Sequence, residues 1–332
     1  MQSCITIHGG GLAGSAAAIA ACQMGAHEVR VYERSQFPRH KVCGEFLTAA
    51  AEKVLRELHV WTAFRALQPA SITKLGLHFP GKSSYFPLPE ACWGISRHAL
   101  DECLMVQAVA AGAEWLNQPA PTSTNTDEAP IVLAHGRQQT GEKGKRIFGF
   151  KAHHEGPPSD AVELYFFDGC YVGVAPIENG RLNVCGLGPE AVMRQHAFDY
   201  DSLCVRSPAL QARLAGMRRS MDWLSVGPLV YHHRFRDHTD AHVYPAGDAL
   251  GFVDPFTGTG MFNALLSGSL AGQCAVAAEP VAQYLQQAAS HLYRPFFISG
   301  FFRAAMRSGI GAHVAGYLPG SLLFRATRAQ LG

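Results

Sequence analysis

The chain has 332 residues, with 28 Lys and Arg against 26 Asp and Glu, a formal charge of +2, 48% hydrophobic residues and only 16% charged ones. Such a composition excludes a disordered chain, and the near-zero charge gives no field for steering nucleic acid. Nine cysteines, an odd number with no Cys-x-x-Cys spacing, exclude a zinc ribbon and read as free thiols in a reducing compartment.

Ser3 to His8 alternates as a short strand, with no positively charged leader before it, so the cytoplasm is the expected location. Gly9-Gly-Gly11-Leu12-Ala13-Gly14 then spells GxGxxG, and Ser15 to Met24 is rich in small helix formers. In a strand–turn–helix unit Gly9 permits the tight turn, Gly11 lets the backbone approach a diphosphate, and Gly14 lets helix and strand pack. The diphosphate then sits at the positive end of the helix. A second strand, Glu28 to Glu33, ends in a carboxylate 19 positions after Gly14, placed to accept hydrogen bonds from the ribose of an adenosine. A carboxylate there disfavours a 2′-phosphate, which leaves FAD and NAD open.

Arg34, Arg39 and Lys41 follow as candidates for phosphate or ring-loop contacts, and Arg97 opens a later helix pattern at Trp93 to Met105. The stretches from about Ile72 to Trp93 and from about Ile147 to Tyr231 alternate as strands and predict an antiparallel sheet, with a hairpin at Ile177 to Leu182. Thr122 to Ala129 and Thr140 to Arg146 read as loops. Tyr165 and Tyr171 are candidates for lining an apolar substrate cavity, although aromatics in a sheet are more often core. Neighbouring histidines at 153–154 and 232–233 point to opposite faces of their strands, so no metal site is expected. Structural or surface roles suit them better.

Downstream, Ala241 to Gly247-Asp248 reads as a strand ending in Gly-Asp, followed by Pro255-Phe-Thr-Gly258-Thr-Gly260-Met261. Together with Gly9–Gly14, Glu33 and Pro38-Arg-His-Lys41-Val-Cys43-Gly-Glu45, this segment resembles the flavoprotein group of p-hydroxybenzoate hydroxylase, the flavin halogenases and the geranylgeranyl reductases. The resemblance implies FAD, with Asp248 on the ribityl chain, Arg97 on the diphosphate, Cys43 close to the flavin, and the Pro255 to Met261 turn beside its ring. A helix opened by Gly258 and Gly260 presents free N–H groups that stabilise the charge of a reduced flavin.

The expected architecture is α/β. A three-layer Rossmann-like FAD-binding domain is assembled from 1–71, 94–146 and 232–280. An antiparallel substrate sheet is inserted from 72–93 and 147–231, and residues 281–332 form a helical cap. The arginine-bearing, Phe-rich tail of that cap reads as core packing, with peripheral membrane contact or a lid over a lipophilic substrate as the other readings.

Two departures limit what the resemblance carries. The Asp-Gly of the hydroxylases is replaced by His135-Gly136-Arg137, which puts direct use of NAD(P)H in the hydroxylase manner in doubt and leaves a separate flavin reductase or a different docking mode. The halogenase Trp-x-Trp-x-Ile-Pro strand is replaced by Tyr171-Val-Gly173-Val-Ala175-Pro176, which takes support from halogenation. The leading expectation is a monooxygenase that hydroxylates a hydrophobic aromatic or polyketide-like molecule through a hydroperoxyflavin. Reduction of an isoprenoid double bond and FAD binding without turnover are the alternatives. The residues single out no catalytic acid or base.

Overall fold

The computed structural model describes residues 4–121, 129–137, 146–229, 232–233, 240–252 and 258–292. In the first stretch lie β1 (Cys4–His8), α1 (Leu12–Gln23), β2 (Glu28–Tyr32), β3 (Phe46–Leu47), α2 (Ala51–Glu57), α3 (Trp61–Ala66), β4 (Ala70–Phe79), β5 (Lys82–Gly94), α4 (Arg97–Ala110) and β6 (Glu114–Leu116). Then come β7 (Ile131–Leu133), β8 (Ile147–Glu155), β9 (Ala161–Phe167), β10 (Cys170–Pro176) and β11 (Arg181–Pro189). Last are α5 (Glu190–Gln195), α6 (Tyr200–Cys204), α7 (Pro208–Leu214), β12 (Arg218–Arg219), β13 (Leu224–Leu229), β14 (His232–His233), β15 (Val243–Pro245), β16 (Gly251–Phe252) and α8 (Gly260–Val276). Residues 281–292 are also helical.

A five-stranded sheet in the order β15-β7-β1-β2-β6 is parallel throughout. Its central strand buries Ile5 and Ile7, and α1 is buried from Leu12 to Ala21, so the helix is apolar around most of its circumference rather than along one stripe. Small side chains make that burial possible. A Cβ at Gly268 would lie 2.1 Å from the Ala13 carbonyl oxygen, and one at Gly272 would lie 2.3 Å from that of Ala17. Two glycines four residues apart on α8 thus press against two alanines four apart on α1, and the backbones touch.

The second sheet has the order β12-β8-β11-β10-β9-β4-β5-β3, with β13 also on β8. The expected hairpin is there, with Pro176 opposite Leu182 and a turn of positive φ at Asn179 and Gly180. Two expectations are corrected. The sheet is mixed, because β4 and β9 run parallel. The chain leaves after β5 through α4, β6 and β7 before returning, so no tight turn enforces antiparallel pairing there.

The stretch read as unbroken strands also contains α5, α6 and α7. Asp199 caps α6 by accepting from the N–H groups of Asp201 and Ser202, while Ser207 caps α7 ahead of Pro208. These helices lay Met193, Tyr200, Leu203 and Leu210 on Phe150, Tyr165, Val172 and Val184 of the sheet. Each such side chain contributes about 1.5–3 kcal/mol by leaving water. That covered face commits the other face of the sheet to the cavity described next.

Candidate cofactor and substrate site

The first glycine turn is sterically determined. Gly9 has φ of 102°, and a Cβ at Gly14 would lie 1.7 Å from the Gly9 carbonyl oxygen, so neither position tolerates a side chain. Gly11 differs, for a Cβ there would meet only Lys41 Nζ at 3.6 Å and Arg97 Nη2 at 3.7 Å. Both cations therefore converge above the backbone at the start of α1, and Gly11, Leu12 and Ala13 line a cavity there.

Arg97 is held by Asp101, whose two oxygens accept from its Nε and Nη2 at 2.6 and 2.8 Å. Burial opposes the Arg97 charge, but Asp101 outweighs it and raises the group further. Lys41 has no carboxylate at ion-pair distance among the described residues; burial, and then Arg97, push its ammonium down to about 8. Of these two half-buried cations only Arg97 has a carboxylate partner among the described residues. A diphosphate supplies the missing negative charge at a helix N-terminus, so these residues fit the group.

At the end of β2, Glu33 accepts from the Gly10 and Ser35 N–H groups, both at 2.9 Å, and from Arg39 at 3.4 Å. Burial works against its charge, and these donors outweigh it, holding the carboxyl below its usual range. Neither Glu33, which is buried, nor Arg34, which is exposed, forms part of the cavity wall.

The second signature meets the first. Gly247, with φ of 60°, donates its N–H to Ser267 Oγ at 2.9 Å, and a Cβ on it would lie 2.9 Å from that of Ala13. Asp248 faces the same cavity, 3.7 Å from Arg137, whose guanidinium lies 4.7 Å from the Phe252 ring centre. Gly258 has φ of 64°, and Gly260 and Met261 open α8 on the cavity wall. Among the described residues nothing stands within 4 Å of a Cβ at Gly260, and Asn263 Oδ1 is buried there without a hydrogen-bond partner. An open, N–H-bearing helix start with an orphaned acceptor beside it suits a heteroaromatic ring that both accepts and donates. Pro255 lies outside the described residues.

Between the two signatures runs the loop of Cys43 and Glu45. Burial pushes the Cys43 thiol up, and Asn183 Nδ2 donates to the Cys43 carbonyl at 3.0 Å. Glu45 adopts φ of 54° and is fully buried. Its Oε1 accepts from the Arg97 N–H at 2.7 Å and from the Lys151 ammonium, and its Oε2 accepts from His153 Nε2 at 2.7 Å. Burial works against this carboxylate, and the His153 and Lys151 contacts outweigh it and hold it below its usual range. Beside it, Glu178 accepts from the Ser96 N–H and Oγ at the start of α4.

Of the structural and surface roles expected for His153, its burial fits the first, and Lys151, which no motif singles out, joins it. Both are buried and face the loop, while His154 turns the other way against Trp223. Their two-residue spacing on β8 was visible in the sequence, but their common partner was not.

The far wall is the inner face of the mixed sheet: Leu75 and Leu77, Val162 and Leu164, Tyr171, Gly173 and Leu187. Tyr171 therefore lies where a substrate residue was expected, but Tyr165 does not. It points to the covered face, where it is 1% exposed, stacks on His78 at 4.2 Å and donates to Glu163 at 3.1 Å. The period of two puts Leu164 into the cavity and Tyr165 behind it. No group of three or more metal-ligating side chains is found among the described residues.

No protein-family model and no curated protein sequence matches the chain. Among solved structures, a triple mutant of the flavin-dependent brominase Bmp2 superposes with a TM-score of 0.78 at 18% identity, covering 97% of both chains. The flavin-dependent halogenase CmlS gives 0.78 at 18% identity over 100% of this chain and 68% of its own. A flavoprotein/dehydrogenase from Cytophaga hutchinsonii gives 0.74 at 16%, covering 98% and 96%. A parallel sheet and a mixed sheet with a cavity between them, built by this chain at such low identity, are the fold of these flavin-dependent proteins.

Proposed function

We propose that the protein is an FAD-dependent oxidoreductase of the monooxygenase type, acting on a hydrophobic aromatic or polyketide-like small molecule. One observation carries the reading. A single cavity runs from Gly11, Lys41 and Arg97, past Asp248 and the start of α8, to an apolar wall that includes Leu75 and Leu164. In this reading Lys41, Arg97 and the α1 N-terminus hold the diphosphate, Glu33 the ribose, with Arg34 outside it, and Asp248 the ribityl chain. Cys43 and Gly258 to Met261 border the flavin ring. When bound, the flavin supplies two electrons and the activation of dioxygen. The apolar wall excludes water and orients the substrate carbon.

The Gly136-Arg137 segment, with Arg137 turned to Asp248, favours reduced flavin delivered by a separate reductase over direct NAD(P)H use. The nine cysteines are free, which favours a reducing compartment such as the cytoplasm. No helix among the described residues is long and apolar enough to cross a membrane, and membrane contact through the tail falls outside them.

Halogenation is the second reading, favoured by the names of the brominase and halogenase neighbours and weakened by the tryptophan-free strand at Tyr171 to Pro176. The deciding experiment mixes purified protein, FAD, a flavin reductase and an aromatic library, with and without bromide, under isotopically labelled dioxygen. Incorporation of labelled oxygen supports hydroxylation, a bromine-bearing product supports the second reading, and saturation of a polyprenyl probe without oxygen uptake supports the reductase alternative. Bound FAD with no product in any arm leaves a flavin-binding protein, and failure to bind FAD overturns the whole reading.

A further inference from the structure

Hydroxylation of R–H by dioxygen needs two electrons and two protons, giving R–OH and water. Reduced flavin brings both electrons and one proton, so the second proton must enter from solvent. On its apolar side the cavity is walled by Leu75, Leu77, Val162, Leu164, Leu187 and Val226, none of which carries a proton, and a bound substrate closes that route to water.

At Glu45 the situation differs. Its Oε2 accepts from His153 Nε2 at 2.7 Å; the His153 ring centre lies 5.0 Å from that of His40, and His40 lies 4.7 Å from His98. His153 is buried, whereas His40 and His98 are half-buried. On these two neighbouring rings, His40 Nδ1 and His153 Nδ1 are each buried without a hydrogen-bond partner among the described residues. Orphaned polar atoms of this kind cost about 1–3 kcal/mol each, and two of them on adjacent rings make a polar gap suited to a bridging water.

We propose that His98, His40, His153 and Glu45 form a proton relay from solvent to the flavin cavity. The inference rests on the reading under Proposed function. In each passage a proton reaches His153 Nδ1 through His40, the Nε2 proton moves to Glu45 Oε2, and Glu45 releases it into the cavity. Lys151 and the Arg97 N–H hold the other carboxylate oxygen, so Glu45 carries the proton only in transit. The groups facing the relay set its working range. Burial and the charges of Lys151, His153 and His98 push His40 down to about 4, and Cys43 packs against Glu45. His40 is thus neutral near pH 7, with one nitrogen to accept and one to donate.

The test mixes FAD-loaded protein, reduced beforehand without oxygen, into air-saturated weak buffer with a pH-indicator dye; without substrate, reduced flavin, dioxygen and one proton give FAD and hydrogen peroxide, and the readout is the rate of that proton uptake. His40→Gln and His153→Gln are expected to slow uptake by about 100-fold while FAD affinity stays unchanged. Added imidazole is expected to restore the rate in His40→Gly. A purely structural role for these rings leaves uptake untouched, so equal rates in wild type and His40→Gln overturn the proposal even if His153→Gln fails to fold. Absence of FAD binding in the preceding titration overturns both readings and is seen before any mixing with oxygen.

Discussion

Lys41 shows how one half-buried ammonium sets the pH response of the groove. With burial and Arg97 lowering it to about 8, the free protein gives up this proton just above neutrality. A bound diphosphate restores the charge, so above pH 8 binding takes up a proton and below pH 8 it does not. FAD affinity is therefore expected to be flat up to pH 8 and then to fall by up to about tenfold per unit. Fluorescence titration from pH 6 to 10 checks this, and Lys41→Met is expected to bind weakly with no such bend.

Asp248→Ala is expected to weaken FAD by about 10- to 100-fold, the loss of hydrogen bonds to a charged group, with the fold retained by circular dichroism. Lys151→Met leaves Glu45 buried without its ammonium and is expected to cost about 3–5 kcal/mol in urea unfolding. Pairing it with Glu45→Gln is expected to recover part of that loss.

Helix α1 and helix α8 carry the two halves of the groove at their N-termini, and their contact is made of backbone against backbone at Ala13–Gly268 and Ala17–Gly272. A Leu at 272 has nowhere to go, because the obstacle is a carbonyl rather than a movable side chain. Gly272→Leu is expected to destabilise by about 3 kcal/mol or more and to lose FAD, read by thermal melting and by absorbance of the purified protein. At this scale much was legible in the sequence. β1, α1 and β2 are written in their hydrophobic periods and in glycines whose spacing a diphosphate turn requires, and the β10–β11 hairpin in its Glu-Asn-Gly turn.

Helices α5 to α7 escaped because each is only five to seven residues long, below the span at which helical periodicity can be distinguished from strand alternation. Their signals were the caps, Asp199 and Ser207-Pro208. Tyr165 was misread for a related reason, since a strand's alternation does not say which of its two faces is covered, and here both are apolar.

In the whole molecule the cavity is walled by the mixed sheet on one side and by the turns that follow β1, β7 and β15 on the other, so a ligand filling it ties the two layers together. FAD at 100 times its dissociation constant is expected to add about 2.7 kcal/mol and to raise Tm by several degrees, checked by calorimetry with and without cofactor. What stayed illegible is what only the assembled chain creates. Glu45 joins the loop after β2, the start of α4 and strand β8, and no local pattern announces that three such distant segments share one carboxylate. The parallel pairing of β4 with β9 is of the same kind.

The contact of Ala17 with Gly272 also fixes when the coenzyme can be captured. On a ribosome the first turn emerges long before the helix that completes its clasp, because the two lie far apart along the chain. Loading waits for that helix, and a nascent chain stopped ahead of Gly260 holds half a clasp with nothing to close on.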